Sequence, residues 1–127
     1  MALFDEENRE LLETVIPAMQ RFLMARERTG GEIRQYLKKR RLCDESRYEA
    51  VLAWLAEEGL LNEERFVRRR ITWRLEEGYG PLYIRNDLKK CMADREVAAA
   101  VLSEISDEEF AEAAAVAVAR NERQVLR

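Results

Sequence analysis

Histidine is absent from the 127 residues, and cysteine occurs only at Cys43 and Cys91. Without histidine, a zinc site would lack its usual ligands, and acid–base chemistry near neutral pH would lack its commonest group. The two thiols stand far apart, and the opening "MALFDEENRE" is acidic at once, with no basic-then-apolar signal pattern. That combination predicts a reducing, cytoplasmic setting. No apolar run approaches the roughly 20 residues of a membrane span. No glycine loop of the phosphate-cradling kind is present, and no Ser or Cys stands beside a base. The acid pairs Glu57-Glu58 and Glu76-Glu77 are adjacent on helices and therefore diverge. The expectation is a monomeric protein with no catalytic residues, no cofactor, no metal and no membrane attachment.

Proline and glycine are also scarce, at two and five residues, which argues against many tight β-turns. What is plentiful is apolar residues, 47%, and charged ones, 37%, in patterns of period three and four. The first such pattern carries Leu11, Leu12, Val15, Ile16, Met19, Phe22 and Leu23, one face of a helix. Pro17 interrupts it and predicts either a kink or a fresh helix with Pro17 in its first turn. Thr29 and Glu32 have the spacing of a capping box opening a second helix with Ile33, Tyr36 and Leu37 on its face. A third runs from about Asp44, an N-cap, to Gly59, which suits the left-handed residue that ends a helix. A fourth begins after Asn62 with Phe66, Val67, Ile71 and Leu75 inward and stops at Gly78. In the fifth, Gly80 is the cap and Pro81 the first-turn residue, with Ile84 and Leu88 on the face. The sixth starts at Asp94. The seventh starts near Asp107, with Phe110, Ala113, Ala114, Ala117 and Val118 recurring along it. No segment sustains a period of two, so the fold class is all-α.

The pattern repeats. "GEIRQYLKKR" and "LYIRNDLKKC" share Ile-Arg, two variable residues and Leu-Lys-Lys, with Ile33 and Ile84 standing 51 residues apart. Asp44, Ala50, Val51 and Leu52 meet Asp94, Ala100, Val101 and Leu102 at an offset of 50. "NEERF" then resembles "SDEEF" at an offset of 44. The expected architecture is a set of tandem three-helix repeats, helix-turn-helix-like, forming an elongated array. Its parts are an acidic helical lead-in over 1–14, repeat 1 over 15–61, repeat 2 over 62–105, and the first helix of an incomplete repeat 3 over 106–127.

The formal charge is −3, so a nucleic-acid role would need local patches. Two such segments exist in equivalent places. One runs from Arg21 to Arg41 and includes Arg34, Lys38 and Lys39. The other runs from Arg65 to Lys90 and includes Arg68, Arg69, Arg70, Arg74, Arg85, Lys89 and Lys90. Stacked repeats would align them as a stripe facing phosphates or an acidic protein groove. Consecutive helical residues fan across some 200°, so at most two of Arg68, Arg69 and Arg70 point at one partner. A solvated helix face is the alternative, and lysines at helix C-termini are also favoured by the dipole. Tyr79 and Tyr83 are placed either to stack on a partner or to pack on a neighbouring helix. Trp54 and Trp73 are expected in the core or between repeats, and the cysteines as small apolar fillers.

The stretch "LLNEERFVRRRITWRLEEGYGPLYIRNDLKK" resembles the RecX family of bacterial regulators of the RecA recombinase. The matching positions are Glu63-Glu64-Arg65-Phe66, Gly78-Tyr79-Gly80-Pro81 and Ile84-Arg85. "FLMARERTGGEIRQYL" resembles the corresponding segment of that family's first unit. The resemblance implies a protein without its own reaction, one that lodges in the groove of the RecA filament on single-stranded DNA. There it would block strand exchange and ATP hydrolysis. From the charge pattern itself, weak binding to single-stranded DNA, steep in salt, is expected beside it. Two departures are visible: the third unit is incomplete, and Gly30-Gly31 stands where better helix formers are expected. The competing readings are a direct DNA binder and a helical adaptor unrelated to recombination.

Overall fold

The computed structural model describes residues 9–125. Among them are seven α-helices and no strands, so the chain is all-α. By its internal contacts it divides into two compact units, Met1–Asn62 and Glu63–Arg127.

In the first unit a π-helical turn over Leu11–Val15 runs directly into α1, Ile16–Ala25. The Ile16 N–H donates to the Leu11 carbonyl, and Pro17 occupies the first turn of α1. Proline cannot donate to the carbonyl four residues back. The wider turn just before it takes up that register change, and of the two outcomes expected at Pro17 the structure shows the proline in the first turn of α1. α1 ends before Arg26. After it comes α2, Gly30–Lys39, which opens on a complete capping box. The Glu32 N–H donates to Thr29 Oγ1 at 3.0 Å, and the Thr29 N–H donates to Glu32 Oε1 at 3.1 Å. Arg26 donates to the same carboxylate at 2.6 Å. Gly30 and Gly31 therefore fill the first two helical positions, where the cap already orders the backbone, and their helix-interior penalty does not apply in full.

Thr29 is fully buried, so losing its hydroxyl leaves the Glu32 amide without its acceptor. Thr29→Ala is expected to lower stability by about 1–2 kcal/mol, read as a shift of the urea midpoint with unchanged slope.

A 3-10 turn at Glu45–Arg47, capped by the Asp44 carboxylate on the Ser46 N–H, leads into α3, Tyr48–Glu57. Val15, Met19, Ile33, Leu37, Val51 and Leu55 form the core, with Trp54 buried beside them as expected.

The second unit comprises α4 (Glu63–Glu76), α5 (Pro81–Lys90), α6 (Arg95–Ser103) and α7 (Asp107–Val125). Its core is Val67, Ile71, Ile84, Leu88, Val101, Leu102 and Phe110. α4 packs against each of the other three helices. Gly78 has φ +90 and ends α4, and Gly80 caps α5 with Pro81 in its first turn. The Asp94 carboxylate accepts from the Glu96 and Val97 N–H groups and caps α6. Ser106 and Glu109 cap α7 reciprocally. On α7, Phe110 and Ala117 are buried, but Val118 is exposed. Positions 117 and 118 lie about 100° apart on a helix, so only one of them faces α4.

One echo joins the two units. Arg41 and Met92 are the only non-glycine residues with positive φ among the described ones, at 51° and 57°. Each ends the second helix of its unit, and each is followed by an amide reaching back to a leucine carbonyl, Leu42 to Leu37 and Ala93 to Leu88, both at 3.1 Å. These are left-handed helix ends of the Schellman kind, 51 residues apart.

Candidate partner-binding site

The second half of α4, the turn after it and α5 gather most of the chemistry. Asp87 on α5 is only 8% exposed, and a carboxylate so placed must be paired. Arg70 supplies two hydrogen bonds, at 2.7 and 3.2 Å, and Arg74 two more at 3.3 Å. These bonds, the Arg70 ones foremost, hold the Asp87 carboxyl below the ordinary carboxylate range, against the opposing effect of burial. The same contact raises Arg74 above its ordinary value. Arg74 also reaches Glu77 at 3.5 Å.

Held by their forks, the two guanidinium groups carry aromatic rings. Arg74 lies 4.1 Å and Arg70 4.8 Å from the centre of the Trp73 ring. Arg74 is also 5.7 Å from the ring centres of both Tyr79 and Tyr83, and the two tyrosine rings stack at 3.8 Å. Trp73 is 47% exposed, Tyr83 43% and the neighbouring Leu82 68%. Trp73 is therefore not a core residue: arginines on its own helix occupy the inner side, and its ring stays open to solvent. It also lines a shallow hollow with Arg69, Thr72 and Glu76.

The three consecutive arginines go three ways. Arg68 binds Glu64 on its own helix and Glu104 just after α6, at 2.8–3.0 Å, and those bonds raise its pKa above the usual arginine value. Arg70 turns to Asp87, and Arg69 is exposed. Arg34, in the first unit, binds Glu49 at 2.6 Å. Lys38, Lys39, Arg85, Lys89 and Lys90 are exposed. Of the residues singled out in the sequence, the structure thus joins Arg70, Arg74, Tyr79 and Tyr83 in one cluster and leaves the lysines outside it. Asp87 and Trp73 organise that cluster and were not singled out for it.

The first unit has an aromatic stack of its own. Phe22 and Tyr36 stack at 3.9 Å, with Arg28 4.0 Å from the Phe22 ring centre and Arg40 5.5 Å from that of Tyr36. No group of His, Cys, Asp and Glu able to hold a metal ion occurs among the described residues. Nor is any described helix long and apolar enough to cross a membrane.

Compared with known proteins, the chain is 38% identical over 112 residues to a regulatory protein RecX of Halorhodospira halophila, covering 88% of this chain and 66% of that protein. It is 47% identical over 49 residues to regulatory protein RecX of Escherichia coli, covering 39% of this chain and 30% of that one. The match to regulatory protein RecX of Shigella boydii has the same extent and identity. The chain thus spans 66% of the first relative's length and under a third of the other two. No family model matches the chain, and no solved structure does.

Proposed function

The chain belongs to the RecX family, and from that premise we propose that it is a non-catalytic regulator that binds the RecA filament on single-stranded DNA and restrains its ATP hydrolysis. The observation that carries the reading is the open Trp73–Tyr79–Leu82–Tyr83 surface held by the Arg70–Asp87–Arg74 network. Aromatic and arginine anchors of this kind dominate protein–protein interfaces. The ion pairs fix the rings before binding, so little side-chain freedom remains to be lost on docking. The exposed cations Arg69, Arg85, Lys89 and Lys90 add steering that salt weakens. Binding to free single-stranded DNA is weak and steep in salt, in keeping with a net charge of −3.

The test is ATP hydrolysis by the cognate RecA on single-stranded DNA, with and without the chain. Inhibition is expected, and Trp73→Ala should weaken its apparent affinity by on the order of tenfold with an unchanged helical circular dichroism spectrum. Arg69→Glu is the matching charge variant. Arg74 is unsuitable for reversal, because a carboxylate there would face Asp87. Unchanged hydrolysis in the presence of the native chain, or full potency of Trp73→Ala, would overturn the reading. Tight binding to duplex DNA alone would favour a DNA-binding protein instead.

A further inference from the structure

α5 has two working sides. Tyr83 and Asp87 face α4, whereas Arg85 and Lys89 are displaced by two residues, about 200° around the helix. They line a groove of about 510 Å³ between α5 and α6, completed by Arg95 and Glu96 on α6. Its floor is aliphatic, made by Leu88, Ala98 and Leu102. Arg85, Lys89 and Arg95 make no ion pair among the described residues, in contrast to Arg68, Arg70 and Arg74. Three uncommitted cations thus rim an apolar trough.

We propose that this groove is the docking site for an acidic, amphipathic segment of a protein partner, which lays an aliphatic side chain on the floor and sets its carboxylates against Arg85, Lys89 and Arg95. Charge complementarity selects the acid, and the floor selects the apolar anchor. A single nucleic-acid strand fits less well. No aromatic ring lines the groove to stack on a base, the rings being on the opposite side of α5, and Glu96 sits where a phosphate would be repelled. An amphipathic peptide meets Glu96 with a backbone amide or a basic side chain. The proposal rests on the regulator reading only for supposing a protein partner; the groove itself is tested without a filament.

The probe is a fluorescein-labelled helical peptide with glutamates on one face and leucines on the other, followed by fluorescence anisotropy against the intact chain. Saturable binding that weakens with salt is expected. Arg85→Glu with Lys89→Glu should reduce affinity on the order of tenfold. Ala99→Trp, which fills the groove mouth and keeps every charge, should reduce it comparably. Circular dichroism checks both variants; if the charge reversal unfolds, the Ala99→Trp result decides. A peptide with serine in place of leucine should bind more weakly. Equal binding of native chain and Ala99→Trp would overturn the proposal, as would a short oligothymidylate that binds in the groove while the peptide does not. Peptide binding without any effect of the chain on RecA would uphold the groove and sink the filament reading.

Discussion

Asp87→Ala is expected to destabilise the second unit by about 3 kcal/mol. The carboxylate is buried, and both of its partners are themselves largely covered. Its removal leaves two guanidinium groups without their shared acceptor, and an unpaired buried charge costs more than the pair contributed. Urea unfolding would read the loss, and Trp73 fluorescence would report the loosening of the guanidinium groups beside it. The sequence register supplies a control. At the 51-residue offset, Met19, Leu23 and Tyr36 correspond to Arg70, Arg74 and Asp87. Transplanting that apolar trio, as Arg70→Met with Arg74→Leu and Asp87→Tyr, should restore most of the stability, because well-packed apolar groups commonly replace a buried ion network without loss. An Asp87→Ala protein as stable as the native one would mean that the two arginines find water instead, and that the network is not a structural element.

The second large effect belongs to Gly78. Its φ of +90 is a conformation that side chains rarely adopt, and a Cβ placed there would stand 2.7 Å from the Ala117 Cβ on α7. Gly78→Ala therefore combines backbone strain of about 1–2 kcal/mol with a steric clash costing a similar amount, about 3 kcal/mol in all. Because α7 packs on α4 at this point, and Arg120 donates to the Glu76 carbonyl at 2.8 Å next to it, hydrogen exchange should quicken first in α7. A second substitution separates the terms. Ala117→Gly removes the clash but not the strain, so the pair should be coupled by about 1 kcal/mol. Additive effects would show that α7 is not held against Gly78 in solution.

Local features were legible in the sequence because the residues that make them are neighbours. The Thr29–Glu32 box, the stop at Gly78, the Gly80-Pro81 start and the Asp94 cap all follow from side chains within four residues of the backbone they serve. The helices and the apolar faces of α2, α4 and α5 follow from period alone. The cluster around Asp87 was not legible, because its partners lie 13 and 17 residues away and only the packing of α5 on α4 brings them together. In the sequence Arg70 and Arg74 look like charges for a partner, whereas in the fold each gives two hydrogen bonds to Asp87. Trp73 sits at the edge of the α4 apolar face, where periodicity does not decide between core and solvent. One signal was present all the same. At the repeat offset, three apolar residues of the first unit change together to two bases and an acid, and Phe22 changes to Trp73. A joint change of that chemical logic marks side chains in contact.

The same network makes acid a selective reagent. A carboxyl held below its unfolded value stabilises the native state above the ordinary carboxylate range near 4, and that stabilisation drains away as pH falls through the depressed native value. At the position matching Asp87 the first unit has Tyr36 in place of a carboxylate. A titration from neutral into strong acid should therefore loosen α5 from α4 as the Asp87 carboxyl takes up its proton.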